Sequence, residues 1–220
     1  MTRAAVSANR PRRERAAPLT RETLVAATIR IADAEGAGAV TMRRLGADLG
    51  VDPTAVYRHF RDKDELLRSA ADWLVAGAFD GLELGGTWAE DVRDLVLHVR
   101  RRYLEHPGLV VLVATSRGPL QSEAAATERV LALLRAGGLD ADAAVRAFEV
   151  LQDYLIALTV ADAGALGEST EPWREAFASL PPEAFPNLAA AGGSLYVDLD
   201  ARFRYGLDLL IESLDRRRPT

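Results

Sequence analysis

The sequence predicts an all-α protein in two parts, a short N-terminal helical unit and a larger helical body, and three observations predict it. Apolar residues recur at helical spacing along most of the chain, with little strand alternation. Capping residues and Gly or Pro breaks punctuate those runs. Charge also divides after Lys63. Residues 1–63 carry 12 Arg/Lys against 7 Asp/Glu, a balance of +5, and the rest carry 15 against 25, a balance of −10, which sums to the net −5. A basic head can neutralise phosphates while an acidic body repels them, so any nucleic-acid contact is confined to the first quarter of the chain.

Composition narrows the class further. With 49% hydrophobic and 27% charged residues over 220 positions, the chain can bury a core and is not globally disordered. The longest apolar stretch, Leu109–Ala114, is far short of the ~20 residues a bilayer crossing needs. No apolar run follows the Arg-rich N-terminus as a signal peptide would require. A soluble, cytoplasmic protein without a membrane partner is therefore expected. The lack of cysteine excludes disulfides, thiolate nucleophiles and Cys-type metal sites.

The elements follow in order. Residues 1–18 hold Arg3, Arg10, Arg12, Arg13 and Arg15 with two prolines and no apolar period, and read as a flexible basic arm. Thr20 caps a first helix whose Leu24, Val25, Thr28, Ile29 and Ala32 share a face and which ends at Gly36. Thr41 caps a second that stops at Gly50. Asp52-Pro53 opens a third, running to about Phe60, because proline at the first helical position loses no hydrogen bond. Asp62 and Glu65 have capping-box spacing for a fourth, to about Gly77. Thr87 and Glu90 repeat that spacing for a helix through Glu105, with Val92, Val96, Val99 and Tyr103 inward, and Pro107 ends it. An apolar segment, 108–116, leads to a helix at about 122–136, and Asp140 caps the next, through about Ala163. Residues 164–196 are rich in Gly, Pro and Ser, with short helices such as 172–178, before a last helix at about 198–217. The expected organisation is an arm at 1–18, a head at 19–63 and a body at 64–220, with nine or ten helices in all.

Two helices are apolar on more than one side. In 141–163, Phe148, Leu151, Leu155 and Leu158 form one stripe, and Val150, Tyr154, Ala157 and Ala161 a second. In 198–217, Phe203, Leu207, Leu210 and Leu214 are broadened by Leu209 and Ile211. Such helices are either central in a core or shared with a second subunit.

The segment from Thr41 to Phe60 reads as two short helices joined by a tight Gly50-Val51-Asp52 turn, a helix-turn-helix. Leu45, Leu49, Val51, Val56 and Phe60 can converge to pack the pair. Thr54, Ala55, Tyr57, Arg58 and His59 are then left outward on a face that suits a major groove. A helical hairpin with a solvated face is the alternative. Thr41 through Lys63, continued by Asp64-Glu65-Leu66-Leu67, resembles the DNA-binding signature of the TetR family of one-component bacterial transcription regulators. The resemblance covers about residues 19–75, and beyond them only the helical pattern and the length.

The resemblance implies a three-helix DNA-binding domain, a fourth helix linking it to a ligand-binding and dimerisation domain, and release of operator DNA by a small-molecule effector. By position it makes Thr41, Tyr57, His59 and Lys63 phosphate contacts, assisted by helix N-terminal amides. Arg43, Pro53, Thr54, Ala55 and Arg58 would face base edges or methyls, with Arg44 turned about 100° from its neighbour. Where many relatives carry a hydroxyl, Ala55 offers a thymine methyl an apolar contact instead. A two-fold dimer would place its recognition helices about 34 Å apart, which favours a homodimer through helices at about 141–163 and 198–217. The helix at 62–77, ~24 Å long, would serve as a lever between head and body.

Candidate effector contacts are polar and aromatic residues among apolar helix faces: Trp88, His98, Arg102, Tyr103, Arg117, Phe148, Gln152, Tyr154 and Trp173. Arg117 and Gln152 could read an anionic or polar group, Trp173 could act as a lid, and the apolar setting points to a drug-like or lipid-like molecule. No cofactor is called for. A helical enzyme lacks support, since His98 and His106 are eight apart and no G-x-S-x-G, Gly-rich phosphate loop or H-E-x-x-H occurs. A protein-binding helical adaptor is opposed only by the +5 head.

Overall fold

The computed structural model describes residues 19–116, 118–165, 171–191 and 198–218, without the side chains of Trp173 and Arg174. The expected arm at 1–18 and the expected contact Arg117 lie outside the described residues, as does the Trp173 side chain. Among the described residues there is no strand, and eleven α-helices run α1 Arg21–Glu35, α2 Met42–Leu49, α3 Pro53–Val56, α4 Lys63–Ala76, α5 Trp88–Leu104, α6 Pro107–Thr115, α7 Glu123–Ala136, α8 Ala141–Gly164, α9 Glu171–Ala178, α10 Pro186–Ala191 and α11 Leu199–Asp215. None is long and apolar enough to cross a membrane.

The caps act as the sequence requires. Thr20 and Thr23 form a reciprocal box, and Thr87 and Glu90 form another. Asp140 and Asp198 accept amides of the first turns of α8 and α11. Three boundaries differ from expectation. Pro107 ends one helix but also starts another: its fixed φ suits the first position of α6, so 107–115 is helical where only an apolar segment was expected. The third helix is a single regular turn, after which bonds from the amides of Arg58, His59 and Phe60 carry tight turns onward to Phe60. At the start of α4, Asp62 accepts the Glu65 amide at 2.8 Å, but the Glu65 carboxylate reaches past Asp62 to the Arg61 amide at 2.8 Å, so the box is displaced by one residue.

One hydrophobic cluster runs from head to body. In the head, Leu24, Leu45, Val56 and Phe60 are buried with Leu66 of α4, and Leu49 and Val51 pack against them. The same cluster continues through Leu74, Leu95, Leu109, Leu134, Leu151, Phe203 and Leu207. The first helix is buried on more than the one face its spacing predicts, because it packs against α2, α4 and α6 together.

The contact between α1 and α6 is tight. A Cβ at Gly108 would lie 2.0 Å from the Ala32 carbonyl oxygen, so only glycine lets the two backbones approach so closely. Beside it, His106 Nδ1 lies 2.7 Å from Asp33 Oδ2, and Trp73 of α4 meets the His106 ring edge-on at 5.1 Å. On the far side, Arg100 of α5, itself buried, bridges Asp162 of α8 at 2.8 Å and Asp200 of α11 at 2.7 Å. Gly108→Ala should destabilise the fold by about 1–3 kcal/mol or more through overpacking. An unchanged urea midpoint would show that α6 can shift away from α1 at no cost.

Candidate nucleic-acid interface and ligand cavity

The head is a helix-turn-helix held by local chemistry. Gly50 caps α2 with φ +66°, its amide bonding Ala47 O, while the Val51 amide reaches Gly46 O at 2.8 Å. These bonds close the turn in the manner of a Schellman cap. A Cβ at Gly46 would sit 2.9 Å from Val51 O and 3.2 Å from Pro53 N, so Gly46 lets the turn and the start of α3 lie directly on α2. Sequence reasoning missed Gly46; the available signal was an isolated glycine inside a helical pattern.

A second staple escaped notice as well. Arg21, at the first position of α1, stacks over the Phe60 ring at 4.0 Å, bonds Glu65 at 2.9 Å and donates to the His59 carbonyl. One guanidinium thus ties α1 to the end of the helix-turn-helix and the start of α4.

The head's cations divide into two sets. Arg21, Arg30, Arg44 and Arg61 are paired with Glu65, Asp48, Glu35 and Asp62. Arg44 is engaged through both terminal nitrogens, at 2.9 and 2.6 Å. Arg43 and Arg58, both exposed, and half-exposed Lys63 make no ion pair with any described residue. Tyr57 is 55% exposed beside them. Thr41, Thr54 and Tyr57 are exposed, and Pro53, Ala55 and His59 half-exposed, while Val56 and Phe60 point into the core.

Two hydroxyls have defined states. The Thr41 oxygen accepts the Arg44 amide at 3.0 Å, which leaves its proton free to donate outward. Thr54 donates to Asp52 at 2.6 Å, so what it presents outward is its methyl and a lone pair rather than a proton. Its amide reaches the same carboxylate oxygen at 2.8 Å.

In the body, α4, α5, α7, α8 and the end of α6 enclose a cavity of about 560 Å³. Its walls are chiefly aliphatic and aromatic, and Tyr103, Phe148 and Gln152 line it. Burial, with the Glu123 carboxylate adding, pushes the Tyr103 hydroxyl up to about 12. Four other candidates serve elsewhere. Trp88 donates to Leu133 O at 3.2 Å and packs between Gly137 and Arg218. Between Asp80 O and the Arg101 guanidinium, each at 3.0 Å, His98 is held as the Nε2–H tautomer. Arg102 bonds Glu105 and lies over Trp73. Tyr154 donates to Phe203 O at 2.6 Å against Gly206, pinning α8 to α11.

The cavity is mechanically connected to the head. Its loop at 118–120 is tied to α4 by Arg68 donating to Pro119 O at 2.9 Å and by Asp72 accepting the Ser122 amide at 2.7 Å. Its α6 wall, Val113 and Ala114, belongs to the same nine-residue helix whose first turn sits on α1.

Comparison with known proteins came to the same region. Residues 24–70 match the family model described as bacterial regulatory proteins, tetR family, and residues 81–218 match the tetracyclin repressor-like C-terminal domain. An HTH-type transcriptional regulator of Saccharopolyspora erythraea is 28% identical over 204 residues, covering 89% of this chain and 84% of that protein. The HTH-type transcriptional repressor DrrR1 of Streptomyces coeruleorubidus is 33% identical over 149 residues, 67% of this chain and 55% of that one. Among solved structures, the Streptomyces coelicolor TetR family protein ActR in complex with actinorhodin superposes with a TM-score of 0.79 at 30% identity, covering 93% of this chain and all of that one.

The head's caps predict an acid response. Asp52 is held below the ordinary carboxylate range by the Thr54 hydroxyl and then its amide, Asp62 by the Glu65 amide and then Arg61, and Glu65 by the Arg61 amide and then Arg21. Depressed folded values mean that the stabilisation is fully present above the ordinary range, about pH 4, and is lost as pH falls below that range through the depressed folded values. Carboxyl carbon NMR titration should find all three midpoints below those of model peptides; ordinary midpoints would contradict the cap assignment.

Proposed function

The chain belongs to the TetR family of bacterial regulatory proteins, and we propose that it is a homodimeric repressor that leaves its operator when a small molecule fills the body cavity. It is a DNA-binding transcriptional regulator and not an enzyme. The observation that carries the residue assignment is the division of the head's cations. Four are tied to carboxylates of the head and of the start of α4, whereas Arg43, Arg58 and Lys63 make no ion pair with any described residue and stand exposed or half-exposed on the helix-turn-helix and at the start of α4.

On this reading Tyr57, Lys63 and the Thr41 hydroxyl hold phosphates, His59 lies at the same edge, and Arg43 and Arg58 read base edges. Pro53, Thr54 and Ala55 present methyl and methylene surface to the groove. Arg44 contributes only if duplex phosphates displace it from Glu35. A dimer through α8 and α11 is supported by the apolar groups these helices leave exposed, Val145, Val150, Tyr205 and Leu209.

Release works through the two ties between cavity and head. An effector that fits the cavity better in one spacing of α4 and α6 shifts the equilibrium by its differential affinity alone. Because α6 rests on α1 and α4 begins beside the reading helix, that shift changes the angle of each head. Two heads set for successive major grooves then fail together.

The assignment is tested by binding to duplexes selected by the purified protein. Tyr57→Ala and Lys63→Ala should weaken binding to all duplexes, and Lys63→Ala alone should lower the salt slope by ~0.9, because only the cation neutralises a phosphate. Arg43→Ala should relax preference among sequences, costing ~1–3 kcal/mol at one base pair. Unchanged affinity in all three variants would refute it. For the dimer, Val150→Arg with Leu209→Arg should yield folded monomers by sedimentation and abolish tight duplex binding; dimers that persist would move the interface elsewhere.

A further inference from the structure

We propose that Glu35 is a positioning residue for DNA binding: it holds Arg44 off the duplex and so limits how tightly the head grips any DNA. This rests on the reading of the helix-turn-helix as the duplex face. Two charges stand at helix ends where the local electrostatics oppose them. Glu35 is the last residue of α1, at the end where backbone carbonyls concentrate negative charge, and Arg44 lies in the first turn of α2, where free amides concentrate positive charge. The core needs neither, since their side chains are 43% and 44% exposed. Each offsets the other instead, because Arg44 bonds Glu35 through both terminal nitrogens, at 2.9 and 2.6 Å. Residues that break a local rule without serving the core point to function.

The pair stands at the edge of the proposed duplex face. The Arg44 amide donates to the Thr41 hydroxyl oxygen at 3.0 Å, so Arg44 starts one turn from the group assigned to a phosphate. Asp48 also attracts Arg44, more weakly than Glu35 does, but Arg30 already bonds the Asp48 carboxylate at 2.7 Å. Glu35 is thus the anion that sets where Arg44 points. A phosphate offers a guanidinium the same fork of oxygens, so the two acceptors compete for it. To recruit Arg44, a duplex must break the pair and then face an uncovered carboxylate. Phosphate contacts supply affinity without sequence preference, so withholding this cation loosens the grip on every duplex and leaves the choice of operator to base contacts.

The test uses the full chain, one selected and one unrelated duplex, and anisotropy titrations across a salt series. Glu35→Gln should tighten binding to both duplexes by about threefold, the strength of a good exposed pair, and steepen the salt slope by ~0.9 as one more phosphate is neutralised. In an Arg44→Gln background, the same change should lose that steepening and most of the gain. Both substitutions exchange exposed polar groups, and urea midpoints near that of wild type should show that folding is unchanged. An unchanged slope for Glu35→Gln overturns the proposal. So does an equal gain with and without Arg44, which would make Glu35 only one more negative charge in the field of the head. If Tyr57→Ala, Lys63→Ala and Arg43→Ala also leave binding unchanged, the duplex face itself is misplaced and the proposal falls with it; if they weaken binding as expected, only the role of Glu35 fails.

Discussion

The arrangement depends on one steric constraint: at Gly108 the start of α6 has no room for a side chain, because the Ala32 carbonyl of α1 occupies that space. Backbone meets backbone there, and the consequence is architectural. The first helix cannot be the outer wall of an independent head, since α6 covers one side of it and α4 another. Ala27 and Ile31, outside the face that spacing marks, are buried as well, as a helix packed on several sides requires. Head and body therefore share one core, and movement of α6 is movement against α1. The His106–Asp33 contact and the Trp73 edge lie beside the same point, so packing, polarity and sterics coincide where the two halves meet.

Charge divides the labour within the head. Arg21 shows how a surface cation becomes structural: its face covers Phe60, and its nitrogens reach a carboxylate and a carbonyl on two other elements. Exposed ion pairs stabilise weakly one at a time, but a planar guanidinium with three partners also fixes geometry. Arg43, Arg58 and Lys63, which make no ion pair with any described residue, can meet an outside partner without first giving up a carboxylate. Their number is small, and that suits a protein whose net charge is negative: attraction is concentrated on a few side chains rather than spread over the surface.

What the sequence made legible was local. Thr20, Thr41, Asp52, Asp62, Thr87 and Asp140 all cap helices, because a side chain that bonds an amide two or three residues ahead needs no tertiary context. The convergence of Leu45, Val56 and Phe60 was equally readable from spacing. Long-range packing was not. Trp88 and Tyr154 look like ligand contacts in sequence, yet each closes a junction with residues about 45 positions or more away, Leu133 and Phe203. Periodicity reports which face of a helix is apolar, not whether that face meets a neighbour or a cavity. Gly46 had a visible signal, a glycine within an expected helix, whereas Gly108 had none because 108–116 read only as an apolar segment; the meaning of both required knowing which backbone would approach.

Lys63 has a practical consequence. It is the only lysine in the chain, and it opens α4, half-exposed and without an ion pair among the described residues. No cysteine competes as a soft nucleophile. Acylating reagents therefore have a single side-chain amine to attack besides the α-amino group, and the wild-type protein carries its own attachment point for a fluorophore at the boundary between its two halves. In the proposed dimer, energy transfer between two such labels would report how far apart the two heads stand, without a single engineered substitution.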